Sequence, residues 1–160
     1  MTVFVATSKR FYAEAAVLCD DIRAAGHMVY HPFFDRDQDS IEADPALKQA
    51  VTRDHFAEID ACDVLYALAP GGYVGTSVVI EMAYAFARGN RVVTSEPVGE
   101  YAARALVSEV AAPADFLGAL GLGAGESSFQ PVPSGRSGWK RAPRSGKARR
   151  SAGWTETEAP

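Results

Sequence analysis

Glu81 is the residue most suggestive of chemistry, because it is the only charged residue between Asp63 and Arg88. Residues 78–80 and 82–83 around it are all apolar or small, in a segment of helical length. A carboxylate near a helix N-terminus is kept ionised by the helix dipole. Such a group can act as a nucleophile or stabilise an oxocarbenium-like carbon. The alternative is an ordinary glutamate on a solvent-exposed helix face.

A second candidate group lies in the preceding helix, where Asp54 and His55 are adjacent. His55 continues a stripe with a spacing of four residues, together with Leu47, Val51 and Ile59. Either residue could transfer a proton or orient a substrate beside Glu81. The alternatives are a core histidine that is hydrogen-bonded to the backbone and a solvated aspartate.

Small and hydroxyl-bearing residues occur where two strands are expected to end. Thr7 and Ser8 follow the first strand, and Gly75, Thr76 and Ser77 precede the helix of Glu81. We expect Thr76 or Ser77 to be the N-cap of this helix. Backbone amides at a helix N-terminus, together with hydroxyl groups, can bind an anion or a sugar hydroxyl. An ordinary strand-to-helix turn is the alternative.

Other residues that could contact a substrate are His31 and Phe33, with Phe34 as an alternative wall for a base. The two phenylalanines could equally belong to the core. Lys9 and Arg10 could contact a phosphate or simply be exposed at a helix start. The histidines and cysteines lack metal-ligand spacing, so we predict no metal and no cofactor.

Alternating strand and helix patterns must position these residues. Apolar runs at 2–6, 27–30, 63–68 and 91–94 are predicted as strands, and 12–25, 45–61, 78–87, 100–110 and 114–120 as helices. Polar residues 36–44 are predicted as a loop. The alternation predicts an α/β fold with a single doubly wound, Rossmann-like and flavodoxin-like parallel sheet and helices on both faces. In such a sheet the candidate residues converge at one edge.

Composition agrees with a globular domain, because 48% of the residues are hydrophobic and 22% are charged. There is neither a signal-peptide pattern nor an apolar run long enough for a membrane span, so we predict a cytoplasmic protein with no membrane contact. Cys19 and Cys62 are predicted to be buried free thiols.

The charge is distributed unevenly along the chain. Residues 1–125 contain nine Lys/Arg and seventeen Asp/Glu, whereas residues 126–160 contain seven Lys/Arg and three Asp/Glu. We therefore predict an α/β domain at 1–122 and a disordered basic tail, rich in Ser, Gly, Pro and Arg, at 123–160. The tail could be a solubilising extension. It could also make a weak nucleic-acid contact, with Trp139 and Trp154 stacking on bases.

Residues 2–98 resemble the nucleoside 2-deoxyribosyltransferase superfamily, including its relatives that hydrolyse the N-glycosidic bond of nucleoside monophosphates. The resemblance is strongest over residues 54–93: the Ala-Cys-Asp-Val strand start, the Gly-containing loop, Glu81 followed by Met-Ala-Tyr-Ala, and a Gly-Asn turn. The opening Val-Phe-Val-Ala-Thr-Ser and the Tyr-His-Pro-Phe segment at 30–33 also fit. The resemblance implies that Glu81 is the nucleophile and that the protein is a homo-oligomer with a nucleoside or nucleotide substrate.

Three positions depart from the family pattern. His55 stands where the family has an aspartate, Gly75 where transferases often have an acid, and Ala83 where glycine is common. Two hypotheses follow. The first is an enzyme that cleaves or transfers at an N-glycosidic bond, a transferase or a hydrolase, with Glu81, Asp54 and His55 as catalytic residues. The second is a non-catalytic nucleotide-binding sensor of the same fold.

Overall fold

Five parallel strands form one sheet in the computed structural model, which describes residues 1–32 and 37–122. The strands are β1 (Thr2–Thr7), β2 (Met28–Tyr30), β3 (Val64–Leu68), β4 (Arg91–Thr94) and β5 (Glu109–Val110). The helices are α1 (Tyr12–Ala24), α2 (Gln38–Ala43), α3 (Pro45–Asp60), α4 (Thr76–Arg88) and α5 (Pro113–Leu122). The strand order β2-β1-β3-β4-β5 is the flavodoxin-like order. The predicted α/β fold class is therefore confirmed.

Each face of the sheet is covered by two helices, because the strands are apolar on both faces. On one face, Leu18 and Ile22 of α1 and Phe116 of α5 join a core cluster with alternate residues of the strands. On the other face, Ile59 of α3 and Met82 of α4 join a second cluster. The helices that carry His55 and Glu81 thus lie on the same face of the sheet.

A turn after α4 fixes the two helices of this face to one another. Gly89 ends α4 with a φ of 87°, a left-handed conformation that suits glycine. The side chain of the next residue, Asn90, donates hydrogen bonds of 2.9 and 3.0 Å to the carbonyl groups of Ile59 and Cys62 at the end of α3. Asn90 therefore ties the end of α3 to the turn that follows α4.

The loop between β3 and α4 comes close to the chain that follows β4. Gly71 and Gly72 have φ values of 64° and 73°. A Cβ atom at Gly72 would lie 2.4 Å from the Pro97 carbonyl oxygen, whereas one at Gly71 would meet nothing within 4 Å. Glycine at position 72 thus serves both the turn and the close approach of two backbone segments.

Three local predictions were wrong. Residues Gln38–Ala43, expected to be loop, form α2, because the Asp37 side chain accepts from two backbone amides and caps this short helix. Residues 100–110, expected to be a helix, contain only a 3-10 segment, Ala103–Leu106, and then β5. The N-cap of α4 is Gly75 and not Thr76 or Ser77. Asp44 is the N-cap of α3, and its side chain accepts from the backbone amides of Ala46 and Leu47.

Cys19 and Cys62 are buried free thiols, as predicted. Burial raises the pKa of Cys19 to about 11 and that of Cys62 to about 12. Within residues 1–32 and 37–122, no helix combines the length and the apolar character needed to cross a bilayer. The predicted disordered tail and its proposed nucleic-acid contact lie outside the described residues.

Candidate active site

A buried pair of side chains, Glu81 and His55, forms the centre of the site. The Glu81 Oε1 and His55 Nδ1 atoms lie 2.6 Å apart. Glu81 is 4% exposed and His55 is 7% exposed. A hydrogen bond in which one partner is ionised is shorter and stronger than a neutral one, particularly away from water. The glutamate is therefore not on a solvent-exposed helix face, and the histidine binds a carboxylate.

Helical periodicity explains why both side chains point inward. Glu81 belongs to the buried stripe of α4 with Val78, Met82 and Ala85, and the other side of that helix is exposed. His55 lies between Val51 and Ile59 in the buried stripe of α3. Its ring also packs edge-on against Phe4 of β1, with 5.6 Å between ring centroids. The apolar residues that hold the two helices on the sheet thereby place the two polar groups against each other.

A small inner cavity of about 40 Å³ is bordered by both members of the pair. Thr7, at the end of β1, also lines it, and its hydroxyl donates a 2.9 Å hydrogen bond to the Leu68 carbonyl at the end of β3. The order of the strands reverses between β1 and β3, and ligands of open α/β sheets bind at such a point. A volume of this size holds one or a few water molecules.

Tyr12, at the start of α1, lines this cavity as well. Burial raises the pKa of its phenol to about 12, with further contributions from the negative charges of Glu81 and Glu42. Its hydroxyl donates to the Gln38 side-chain oxygen on α2 at 3.4 Å. At neutral pH Tyr12 is therefore a protonated phenol beside a carboxylate.

A larger, more open cleft of about 660 Å³ lies next to the inner cavity. Thr7, Tyr12, Lys48 and Ser77 line both spaces and thus separate the buried pair from the cleft. Clefts of this size are typical of small-molecule sites. The remaining residues around the cleft come from the loop after β1, from α2 and from the start of α4. They are Ser8, Lys9, Arg10, Glu42, Tyr73, Gly75, Thr76 and Val78.

Most of the predicted site residues lie at this edge of the sheet. Thr7, Ser8, Gly75, Thr76, Ser77, His55 and Glu81 line one or both of the two spaces. His31 is half-buried at the end of β2, with its Nδ1 2.6 Å from the Pro32 carbonyl oxygen. Asp54 is exposed and borders neither space, so α3 brings His55 to Glu81 and not its neighbour. Phe33 and Phe34 lie outside the described residues.

Sequence reasoning missed Tyr12, Gln38 and Lys48, which line the inner cavity. Lys48 forms an ion pair with Glu42 across the turn between α2 and α3. Residues 36–44 were predicted as a loop, so the helix that brings Gln38 to the cavity was not recognised, although Asp37 is a recognisable helix cap. Glu58, three residues after His55, is a further missed group. Burial raises the pKa of its carboxyl group, and its buried Oε2 has no hydrogen-bond partner in the described part of the chain.

Several solved structures have a fold similar to that of this chain. One is a 2-deoxyribosyltransferase from Bacillus psychrosaccharolyticus, with a TM-score of 0.56, 14% identity, and coverage of 73% of this chain and 90% of the other. The chain shares the fold of the nucleoside 2-deoxyribosyltransferase superfamily. The predicted resemblance is confirmed at the level of fold.

Two more structures with this fold are similar. A conserved protein from Enterococcus faecalis V583 has a TM-score of 0.56 and 18% identity, over 75% of this chain and 96% of the other. The CMP N-glycosidase BcmB from Clostridium botulinum has a TM-score of 0.50 and 20% identity, over 76% of this chain and 99% of the other. No protein-family model matches the chain. No curated protein sequence matches it either.

Proposed function

We propose that this protein is an enzyme that cleaves or transfers at the N-glycosidic bond of a nucleoside or a nucleoside 5'-monophosphate, with Glu81 as the nucleophile. The observation that carries the proposal is the buried Glu81–His55 pair beside the cleft at the β1/β3 crevice. The similarity of the fold to a 2-deoxyribosyltransferase and to a CMP N-glycosidase supports the bond type.

The reaction proceeds in two displacements. An oxygen of the Glu81 carboxylate bonds to C1' of the sugar, while the bond between C1' and the base nitrogen breaks and its electron pair leaves with the base. Water or a second base then attacks C1' from the opposite face and releases Glu81. Two inversions give net retention of configuration. Water as the acceptor makes the enzyme a hydrolase, and a base makes it a transferase.

His55 acts as a positioning residue in this scheme. Its bond to Oε1 holds the Glu81 carboxylate in one orientation. The position of the second carboxylate oxygen, Oε2, is thereby fixed as well. The substrate occupies the larger cleft, and its sugar reaches Glu81 past Thr7, Tyr12, Lys48 and Ser77, which line both spaces. Glycine and hydroxyl groups at the start of α4 bind the 5' end.

Base release measured by chromatography from a panel of nucleosides and nucleoside 5'-monophosphates tests the proposal. Glu81→Gln should reduce kcat by about a thousandfold or more, since it removes the nucleophile but keeps the shape and the acceptor for His55. Glu14→Gln, on the exposed side of α1, is the matched control and should retain activity. Equal turnover by the wild type and Glu81→Gln would remove Glu81 from the mechanism.

A nucleotide sensor without catalytic activity is the second candidate. The observation that favours it is the size of the inner cavity, which in this structure is too small for a sugar ring beside Glu81. Saturable binding of a nucleotide by the wild type, with no base released from any member of the panel, would support the sensor. Base release that depends on Glu81 would exclude it.

The quaternary state and the tail complete the proposal. We propose a homo-oligomer, as the resemblance to the nucleoside 2-deoxyribosyltransferase superfamily implies. Light scattering coupled to size-exclusion chromatography should give a mass of two or more chains, and a monomer would contradict this.

We also propose a domain at 1–122 and weak nucleic-acid binding by the basic tail. Deletion of 126–160 should then abolish retention on a heparin-competed nucleic-acid column, whereas unchanged retention would refute that contact.

A further inference from the structure

Positive charge is concentrated in the larger cleft, although the domain is acidic. Residues 1–125 contain nine Lys/Arg against seventeen Asp/Glu. Three of these nine, Lys9, Arg10 and Lys48, line the cleft, and Glu42 is the one acidic residue among its described lining. The three cations come from two elements: Lys9 and Arg10 from the 3-10 segment before α1, and Lys48 from the start of α3. The fold thus brings together cations that are far apart in sequence.

The planar guanidinium of Arg10 is oriented for binding a phosphate. Its guanidinium lies over the Tyr73 ring, 3.9 Å from the ring centroid, so Tyr73 restricts its orientation. It forms no ion pair with the described residues, whereas Lys9 pairs with Asp39 and Lys48 with Glu42. A guanidinium held in place offers parallel N–H donors that match the geometry of a phosphate.

The start of α4 adds neutral donors on the same cleft. Gly75, its N-cap, has no side chain to cap the first backbone amides, and the first turn has no acidic residue. By contrast, Asp37 and Asp44 cap the first amides of α2 and α3. Thr76 and Ser77, which both carry hydroxyl groups, also line the cleft. Residues that carry cationic donors and residues at an uncapped helix start therefore line the same cleft.

We infer that this cleft selects a phosphorylated nucleoside over a neutral one, and that Arg10, supported by Lys9 and Lys48, is the residue that makes the selection. This inference rests on the proposed function, because it names the substrate class for the same site. The phosphate lies between Arg10 and the start of α4, and the glycosidic bond lies toward the residues shared with the inner cavity. Arg10 contacts the phosphate and not the reacting carbon, so it acts on specificity.

The test compares kcat/KM for a nucleoside 5'-monophosphate with kcat/KM for the nucleoside of the same base. Arg10→Met should lower the first value by about 10- to 100-fold, the range for loss of a charge-assisted hydrogen bond. It should leave the second within about twofold. Arg10→Lys, which keeps the charge but not the fork, should fall between the wild type and Arg10→Met. Arg53→Met removes an equal charge from the exposed side of α3 and should change neither value.

A binding measurement separates failure of this inference from failure of the proposed function. In the Glu81→Gln background, the nucleoside monophosphate should raise the thermal unfolding midpoint more than the nucleoside does, and Arg10→Met should abolish the difference. Inorganic phosphate alone should compete with the monophosphate. If this pattern holds without base release by the wild type, the inference stands and the catalytic proposal fails. If base release depends on Glu81 but Arg10→Met lowers both substrates equally or neither, the inference is refuted.

Discussion

The free energy that couples His55 to Glu81 is open to direct measurement. His55→Leu would leave the Glu81 carboxylate, which is 4% exposed, without its 2.6 Å partner. Removing one member of a buried charged pair costs about 3–5 kcal/mol, since the remaining charge is neither solvated nor paired. Replacing both members by apolar residues costs far less, because no buried polar group is then left over.

A double-mutant cycle isolates this coupling. We expect His55→Leu to lower the free energy of unfolding by about 3 kcal/mol and Glu81→Met by about 2 kcal/mol, a histidine being easier to leave unpaired than a carboxylate. The double variant should lose only about 1–2 kcal/mol, which gives a coupling of about 3–4 kcal/mol. With a urea m-value of about 2 kcal/mol per molar, a loss of 3 kcal/mol lowers the midpoint by about 1.5 M.

The assay is urea unfolding followed by far-ultraviolet circular dichroism, because both tryptophans, Trp139 and Trp154, lie outside the described residues. The m-value should be the same for all four proteins, so that each midpoint reports stability alone. Single-variant losses that add in the double variant to within about 0.5 kcal/mol would refute the reasoning. Such additivity would mean that His55 and Glu81 contribute independently to the fold.

Three further predictions concern the loop, the thiols and the turn that hold this site. Gly72→Ala should destabilise the protein by several kcal/mol more than Gly71→Ala. Both substitutions carry the left-handed strain of about 1–2 kcal/mol, but only the one at position 72 would also place Cβ 2.4 Å from a carbonyl oxygen. Equal urea midpoints for the two variants would contradict this. Burial raises the pKa of Cys19 to about 11 and of Cys62 to about 12, so both should react slowly with Ellman's reagent at pH 8 in the folded protein and rapidly in urea. The pKa values of both thiols in the folded protein exceed that of a free thiol. The stabilisation that comes from keeping them protonated should therefore be complete below about pH 9 and be lost as the pH rises toward 11 and 12. Fast labelling of the folded protein would argue against burial of the thiols. Asn90→Ala should cost about 1–3 kcal/mol by removing two donors to the end of α3, and a change in unfolding free energy below about 0.5 kcal/mol would show that this tie is dispensable.

Elements with a strong local signal could be predicted from sequence. The buried strand β3 is a short apolar run, and Asp44 followed by proline marks the start of α3. Helix α2 and strand β5 were missed for opposite reasons. The six residues of α2 are polar and depend on the Asp37 cap, while the two residues of β5 form a strand only because β4 offers them a pairing partner. Short elements take their conformation from their surroundings more than from their own residues.

The candidate site shows the same division. The unusual position of Glu81 follows from its apolar neighbours in the chain, and the glycine and hydroxyl residues before it mark a helix start. The choice between Asp54 and His55 could not be made from sequence, because adjacent residues on a helix differ by about 100° in direction and only the packing of α3 decides which one faces α4. The role of Arg10 likewise depends on Tyr73, more than sixty residues away along the chain.

The sequence by itself determined the α/β class, the start of α3 and the isolation of one carboxylate among apolar residues, because these depend on neighbours within a few positions. Tertiary structure alone decided that His55 meets this carboxylate, that Tyr12 and Lys48 stand between it and the cleft, and that three cations of an acidic domain line the cleft at the start of α4. These contacts join residues from different elements across the switch point of the sheet. Their distances are set by how the helices pack on the strands, which no local pattern encodes.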